Sequence, residues 1–86
     1  MIKLQWTKSF KKNYQILPED IKERIKKQLR VFVENPRHPS LRVKKMQDPR
    51  NIYEGRITYS YRFTFQVEGE IYILRKIGSH DILKNP

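Results

Sequence analysis

The sequence contains no cysteine. Disulfides, thiolate zinc sites and a cysteine nucleophile are thereby excluded. A small basic chain without disulfides fits the cytoplasm better than secretion. Long apolar runs are missing too. Nothing spans a bilayer, and the opening "MIKLQWTKSF" lacks the continuous hydrophobic core of a signal peptide. The expectation is a cytoplasmic protein that does not bind membranes. Carboxylates are scarce, with 9 Asp+Glu against 19 Lys+Arg. They form no cluster suited to Mg²⁺, and neither a zinc motif nor a P-loop is present. Any chemistry is therefore expected to need no metal and no other cofactor. Repeats, low-complexity tracts and linkers are absent, so 86 residues imply a single domain over 1–86.

What the chain has in excess is positive charge. The formal net charge is +10. So large an imbalance in so short a chain creates a potential that favours polyanions, either nucleic acid or an acidic protein.

The periodicity falls into two halves. In "MIKLQW", Ile2, Leu4 and Trp6 share one side, as in a strand. Thr7 suits a helix N-cap, and Phe10, Tyr14 and Leu17 follow at helical spacing. Pro18 with Glu19 and Asp20 fits the start of a second helix. Its apolar stripe is Ile21, Ile25, Leu29, Phe32 and Val33, and Asn35-Pro36 ends it. The proline-rich, cationic stretch from Pro36 to Pro49 reads as a surface loop, with a short strand around Leu41 to Lys45. From Arg56 to Phe65 every odd position is apolar or aromatic and every even one polar. That alternation predicts one strand with a buried and a wet face. Glu68-Gly69 marks a hairpin turn, and Ile71 to Ile77 reads as a central strand. The order β-α-α-β-β-β implies an α+β fold: an antiparallel sheet with a helical hairpin on one face and the first strand at an edge.

The helices should cover the aromatic face, which leaves Arg56, Thr58, Ser60 and Arg62 uncovered. On one continuous strand Arg56 and Arg62 would lie roughly 20 Å apart, at the two ends of a groove. Tyr59 and Tyr61 would point inward, so that Tyr53 is the aromatic available for stacking. Arg42, Lys44 and Lys45 in "LRVKKM" add cations, and "GSHD" sets His80 at a strand end. These residue types suit RNA cleavage without metal. A base must take the 2′-hydroxyl proton, cations must stabilise the phosphorane, and an acid must protonate the leaving 5′-oxygen. An imidazole titrates close to neutrality and can serve as base or acid. Arg62 is a permanent cation that can grip two phosphate oxygens. Lys44 and Lys45 can anchor phosphates or, desolvated, act as a base. Taken alone, His80 is an ordinary histidine near a chain end, and His38, between prolines, is a loop residue within reach of a phosphate.

These pieces together resemble the RelE/ParE superfamily of type II toxin–antitoxin toxins. The resemblance runs through "KLQWTKSFKK", "LPEDIKERIKKQL", "NPRHPSLRVKKM", "IYEGRITYSYRFTF" and "YILRKIGSHDIL". It implies the RelE-like microbial RNase fold. For the RelE/YafQ-like branch it further implies a ribosome-dependent mRNA interferase. Such an endoribonuclease cuts in the A site by 2′-hydroxyl attack, leaving a 2′,3′-cyclic phosphate and a 5′-hydroxyl. On that resemblance Arg62 matches the transition-state arginine and His80 the catalytic arginine or histidine. Lys44 and Lys45 match the basic loop, and His38 a histidine of the YafQ-like branch. The catalytic set is then His80, Arg62 and Lys45. Arg42, Lys44, Arg56, His38 and Tyr53 would bind RNA. The implied partners are a cognate acidic antitoxin, mRNA on the ribosome, and operator DNA only through the antitoxin. One departure is plain: "DILKNP" places no aromatic after the histidine to stack on a base. Two other readings stay open, a ParE-like gyrase inhibitor and a catalytically weak basic RNA-binding module.

Overall fold

A computed structural model describes residues 2–86. The order is β1 (Lys3–Trp6), α1 (Lys8–Gln15), α2 (Glu19–Glu34), β2 (Lys44–Lys45), β3 (Tyr53–Arg56), β4 (Tyr61–Glu68) and β5 (Ile71–Ser79). Short 3₁₀ turns cover Pro39–Leu41 and His80–Lys84. The strands form one sheet ordered β1-β5-β4-β3-β2. The α+β class and the two helices over one face are as read from the sequence. The sheet is antiparallel from β2 to β5, but β1 lies parallel to β5 at the edge, so it is mixed. A parallel neighbour needs a long crossover, and everything between β1 and β5 supplies one.

Thr7 fixes the start of α1. Its hydroxyl oxygen accepts from the Phe10 N–H at 3.2 Å, and its O–H donates to the Leu74 carbonyl at 2.8 Å. The cap is thus tied to β5. Along α2 the stripe Ile25, Leu29 and Phe32 is buried. Phe32 meets Phe63, Phe65 and Tyr72 edge-on, with centroids 5.2, 4.8 and 5.4 Å away. These rings form the centre of the core.

The alternating run Arg56 to Phe65 is not one strand. β3 ends at Arg56, residues 57–60 bend, and β4 begins at Tyr61. The Thr58 hydroxyl accepts from the Ser60 and Tyr61 N–H groups at 3.3 and 3.2 Å. The Tyr61 carbonyl accepts from Ile57 and Thr58 at 3.0 and 3.3 Å. Such local side-chain bonds offer the backbone an alternative to the ladder. The alternation remains legible on both arms because opposite residues in an antiparallel pair share a face. Gly55 faces Phe63, and Arg56 faces Arg62. The two arginines are therefore not the distant ends of a groove; opposed residues in such a pair have Cα atoms about 5 Å apart. Nor does Tyr59 point inward. It stands at the hairpin tip, 83% exposed.

β5 carries a bulge opposite Thr64/Phe65. It resets the alternation, so Leu74 and Ile77, three apart, are both buried. The outer face of the sheet is also less open than the alternation implies. The His80–Lys84 turn and the tail cross it, and the Pro86 oxygen accepts from Thr64 Oγ1 at 3.0 Å and Arg75 Nε at 3.2 Å. Among the described residues no helix is long and apolar enough to cross a membrane.

Two tests follow from this packing. A Cβ on Gly55 would stand 2.4 Å from a Phe63 ring carbon, and that ring is fully buried. Gly55→Ala should lower stability by about 1–3 kcal/mol in urea unfolding. In the loop before β3, Arg50 holds the Asp48 carboxylate by a side-chain fork at 3.0 and 2.8 Å and by its own N–H at 2.8 Å. These bonds lower the Asp48 pKa from 3.8 to about 2. The stabilisation is complete above the ordinary carboxylate value and lost as pH falls through the folded one. Asp48→Asn should flatten the acid limb of a Tm-against-pH curve between those values.

Candidate functional site

Register places the polar side chains of the outer face in two rows. Lys44 faces Glu54, which faces Thr64 on β4. Arg56 faces Arg62, which faces Gly78 on β5. Gly78 has no side chain, and a Cβ there would meet the Ile82 methyl at 3.0 Å. The turn after β5 can therefore fold close to the arginine row and bring His80 and Leu83 to it. A cleft of about 430 Å³ results, lined by Arg42, Lys44, Arg56, Arg62, His80, Leu83 and the carboxylate of Glu54. A neighbouring cleft of about 550 Å³ shares Arg56, Arg62 and His80. It adds Tyr59, Ser60, Ser79 and Asp81.

The electrostatics are one-sided. Glu54 is only 6% exposed. It pairs with Lys44 Nζ at 3.3 Å and faces Arg62 Nε at 3.9 Å. Arg62 also folds back on the hairpin: its Nη1 donates to the carbonyls of Thr58, at 2.6 Å, and Tyr59. Arg56 is less well served. Its Nε is buried without a hydrogen-bond partner. Burial, followed by the neighbouring cations Arg62 and Arg42, pulls its pKa below the usual guanidinium value, against opposing pulls from Tyr59 and Glu54. A buried guanidinium N–H without an acceptor is a cost that a bound anion removes. Arg42 enters the cleft from the end of the Pro39–Leu41 turn, where it holds a left-handed backbone at φ 44°. That conformation is uncommon for a side chain of this size. It reverses the chain after buried Leu41 and leads into β2.

The sequence matches the profile of the ParE toxin of type II toxin–antitoxin systems over residues 4–83. The chain belongs to this family. It lies within the RelE/ParE superfamily, and it is a type II toxin. No curated protein matches it. Among solved structures, YafQ from Escherichia coli BL21(DE3) has a TM-score of 0.77 at 10% identity, covering 96% of this chain and 98% of that one. The YoeB/ParE toxin from Agrobacterium tumefaciens gives 0.75 at 22% identity, covering 92% and 99%. The RelE of an archaeal RelE–RelB complex from Pyrococcus horikoshii gives 0.74 at 18%, covering 91% and 93%. At these identities the likeness establishes the fold.

In the toxin, five of the residues singled out in the sequence line one cleft: His80, Arg62, Arg56, Lys44 and Arg42. Three others do not line it. Lys45 pairs with Tyr53, so alternation turns it from the face that holds Lys44 and Glu54. Tyr53 is on the helix side, stacked on Phe65 with centroids 5.5 Å apart. His38 caps the Pro39–Leu41 turn, where its Nδ1 accepts from the Ser40 N–H at 3.1 Å. Glu54 was not singled out at all. Its signal was the spacing in "YEGR", which sets it two residues before Arg56 on the same face. Replacing Glu54 with Ala should lower stability by about 1–3 kcal/mol. Part of that loss should return at high salt, since screening relieves the repulsion among the remaining cations. Urea titrations at two ionic strengths measure both effects.

Proposed function

We propose that this toxin is a metal-independent mRNA endonuclease that acts on the ribosome, with the cleft around His80 as its active site. The observation that carries the reading is that His80 and Arg62 line the same cleft, together with Arg56, Lys44 and Arg42. One scissile phosphate can touch both an imidazole and a guanidinium there. His80 takes the proton of the 2′-hydroxyl as that oxygen attacks phosphorus. Arg62 and Arg56 stabilise the extra negative charge on the phosphorane. The bond from phosphorus to the 5′-oxygen breaks, and the leaving oxygen takes a proton from the Lys44 ammonium or from water. The products are a 2′,3′-cyclic phosphate and a 5′-hydroxyl. Lys44 replaces Lys45 in this scheme, because its side chain is on the cleft side of β2.

The same cationic face suits the partner. YafQ and RelE relatives were crystallised with their antitoxins DinJ and RelB. For this toxin we infer an acidic antitoxin whose disordered segment folds over the cleft and neutralises it. Operator DNA would be reached through that antitoxin. The site of action would then be the cytoplasm.

His80 is exposed, so His80→Ala tests catalysis with little risk to the fold. Expression of the wild type should arrest growth and translation, with new mRNA 5′ ends at A-site positions. His80→Ala should cut cleavage by about 10²–10⁴-fold and restore growth. Arg62→Ala should also restore growth, checked by circular dichroism because Arg62 holds the hairpin tip. The family match bears the ParE name, so gyrase poisoning is the competing outcome. DNA damage without mRNA cleavage, or an unchanged toxicity of His80→Ala, would sink the nuclease reading.

A further inference from the structure

We propose that Tyr59 forms a nucleobase subsite: its ring stacks on an unpaired base of single-stranded RNA whose phosphate lies among Arg56, Arg62 and His80. The inference rests on the nuclease reading above and adds to it where the base goes. A large aromatic ring that is 83% exposed at the rim of a charged cleft contributes little to the core. Tyr59 lines the same cleft as Arg56, Arg62 and His80. The backbone that presents the ring is held in place. Arg62 Nη1 donates to the Tyr59 and Thr58 carbonyls, and the Thr58 hydroxyl closes the turn from the other side. The guanidinium that would hold the phosphate therefore also fixes the backbone that carries the ring. The Arg56 guanidinium carbon lies 5.8 Å from the ring centroid, within cation–π range. A base that settles on the ring is met by an aromatic face and a neighbouring cation.

Stacking of this kind accepts every base, because every base has a π-face. It is also available only to single strands, whose bases can leave the helical stack. The chain carries no aromatic residue after His80. The hairpin tip supplies one to the neighbouring cleft, which shares Arg56, Arg62 and His80 with the proposed active site.

The test separates base from phosphate. Two labelled 2′-O-methyl oligomers of equal length resist cleavage; one carries bases and the other is fully abasic, with the same phosphate charge. Fluorescence anisotropy at low salt measures both. The wild type should bind the base-containing oligomer roughly tenfold tighter than the abasic one, the order expected for one stacked base. Tyr59→Ala should erase that ratio while leaving affinity for the abasic oligomer unchanged, and Tyr59→Trp should restore it. A ratio that survives Tyr59→Ala overturns the subsite and leaves the nuclease reading standing. Failure of the wild type to bind either oligomer overturns the subsite, whereas the nuclease reading stands or falls with the mRNA 5′ ends.

Discussion

Arg56 and Arg62 face each other across the β3–β4 hairpin, and most of the outer face is organised around that opposition. Like charges directly across an antiparallel pair repel. Here the repulsion is relieved piecemeal. Arg62 turns into the hairpin and donates to the carbonyls of its tip. Glu54, one step along the same face, draws on Arg62 and Lys44. Arg56 takes what remains, the face of Tyr59, and keeps a buried Nε without an acceptor. A single carboxylate cannot balance Arg42, Lys44, Arg56 and Arg62. Four cations against one carboxylate leave the cleft three positive charges in excess, and the unpartnered Nε of Arg56 keeps a donor for an anion.

The rest of the fold explains how such a cluster persists. The opposite side of the same strands is apolar and tightly packed, with Phe63 and Phe65 under Phe32 and the Gly55 position filled by the Phe63 ring. Register is fixed there, since a slip by one residue would exchange buried rings for arginines. The core therefore sets the position of the charges. The same logic reaches His80. The bulge in β5 decides which side each residue after Leu74 faces, and bare Gly78 lets the final turn approach. Neither feature supplies a polar side chain to the cleft, yet both bear on where the imidazole sits relative to the arginines.

Much of this was legible in the residues. The helix cap at Thr7, the stripe of α2, the turn near Gly69 and the α+β class follow from periodicity and capping chemistry, which are local. The hairpin at 57–60 was hidden because its two arms share one alternation: in an antiparallel pair the parity of facing residues carries across a turn of suitable length. "RITYSYRF" reads equally well as one strand or as two. The turn signal was Thr58 bonding forward to Ser60 and Tyr61, a weaker mark than Gly or Pro. That single ambiguity displaced Arg56 from Arg62 and hid Tyr59. The parallel placement of β1 depends on long-range pairing, which no local pattern records. Lys44 and Lys45 are neighbours with identical chemistry, and only their pairing with Glu54 and Tyr53 tells them apart.

In the proposed site Arg62 would hold two roles that ordinarily compete. As a structural group it satisfies the hairpin carbonyls, and as the proposed phosphate ligand it would still have to offer donors outward. A guanidinium can do both because its five N–H groups diverge in a fixed plane. Nη1 serves the turn, while Nη2 makes no hydrogen bond within the described residues. A lysine in its place would have one nitrogen to divide between carbonyls and phosphate. The arrangement also limits motion, since swinging Arg62 fully toward a ligand would release the Thr58 and Tyr59 carbonyls and loosen the tip. Phosphate binding through Nη2 would leave the turn intact, and with it the backbone that carries Tyr59. A hairpin closed by the arginine proposed to bind phosphate would need little further ordering of its backbone on binding.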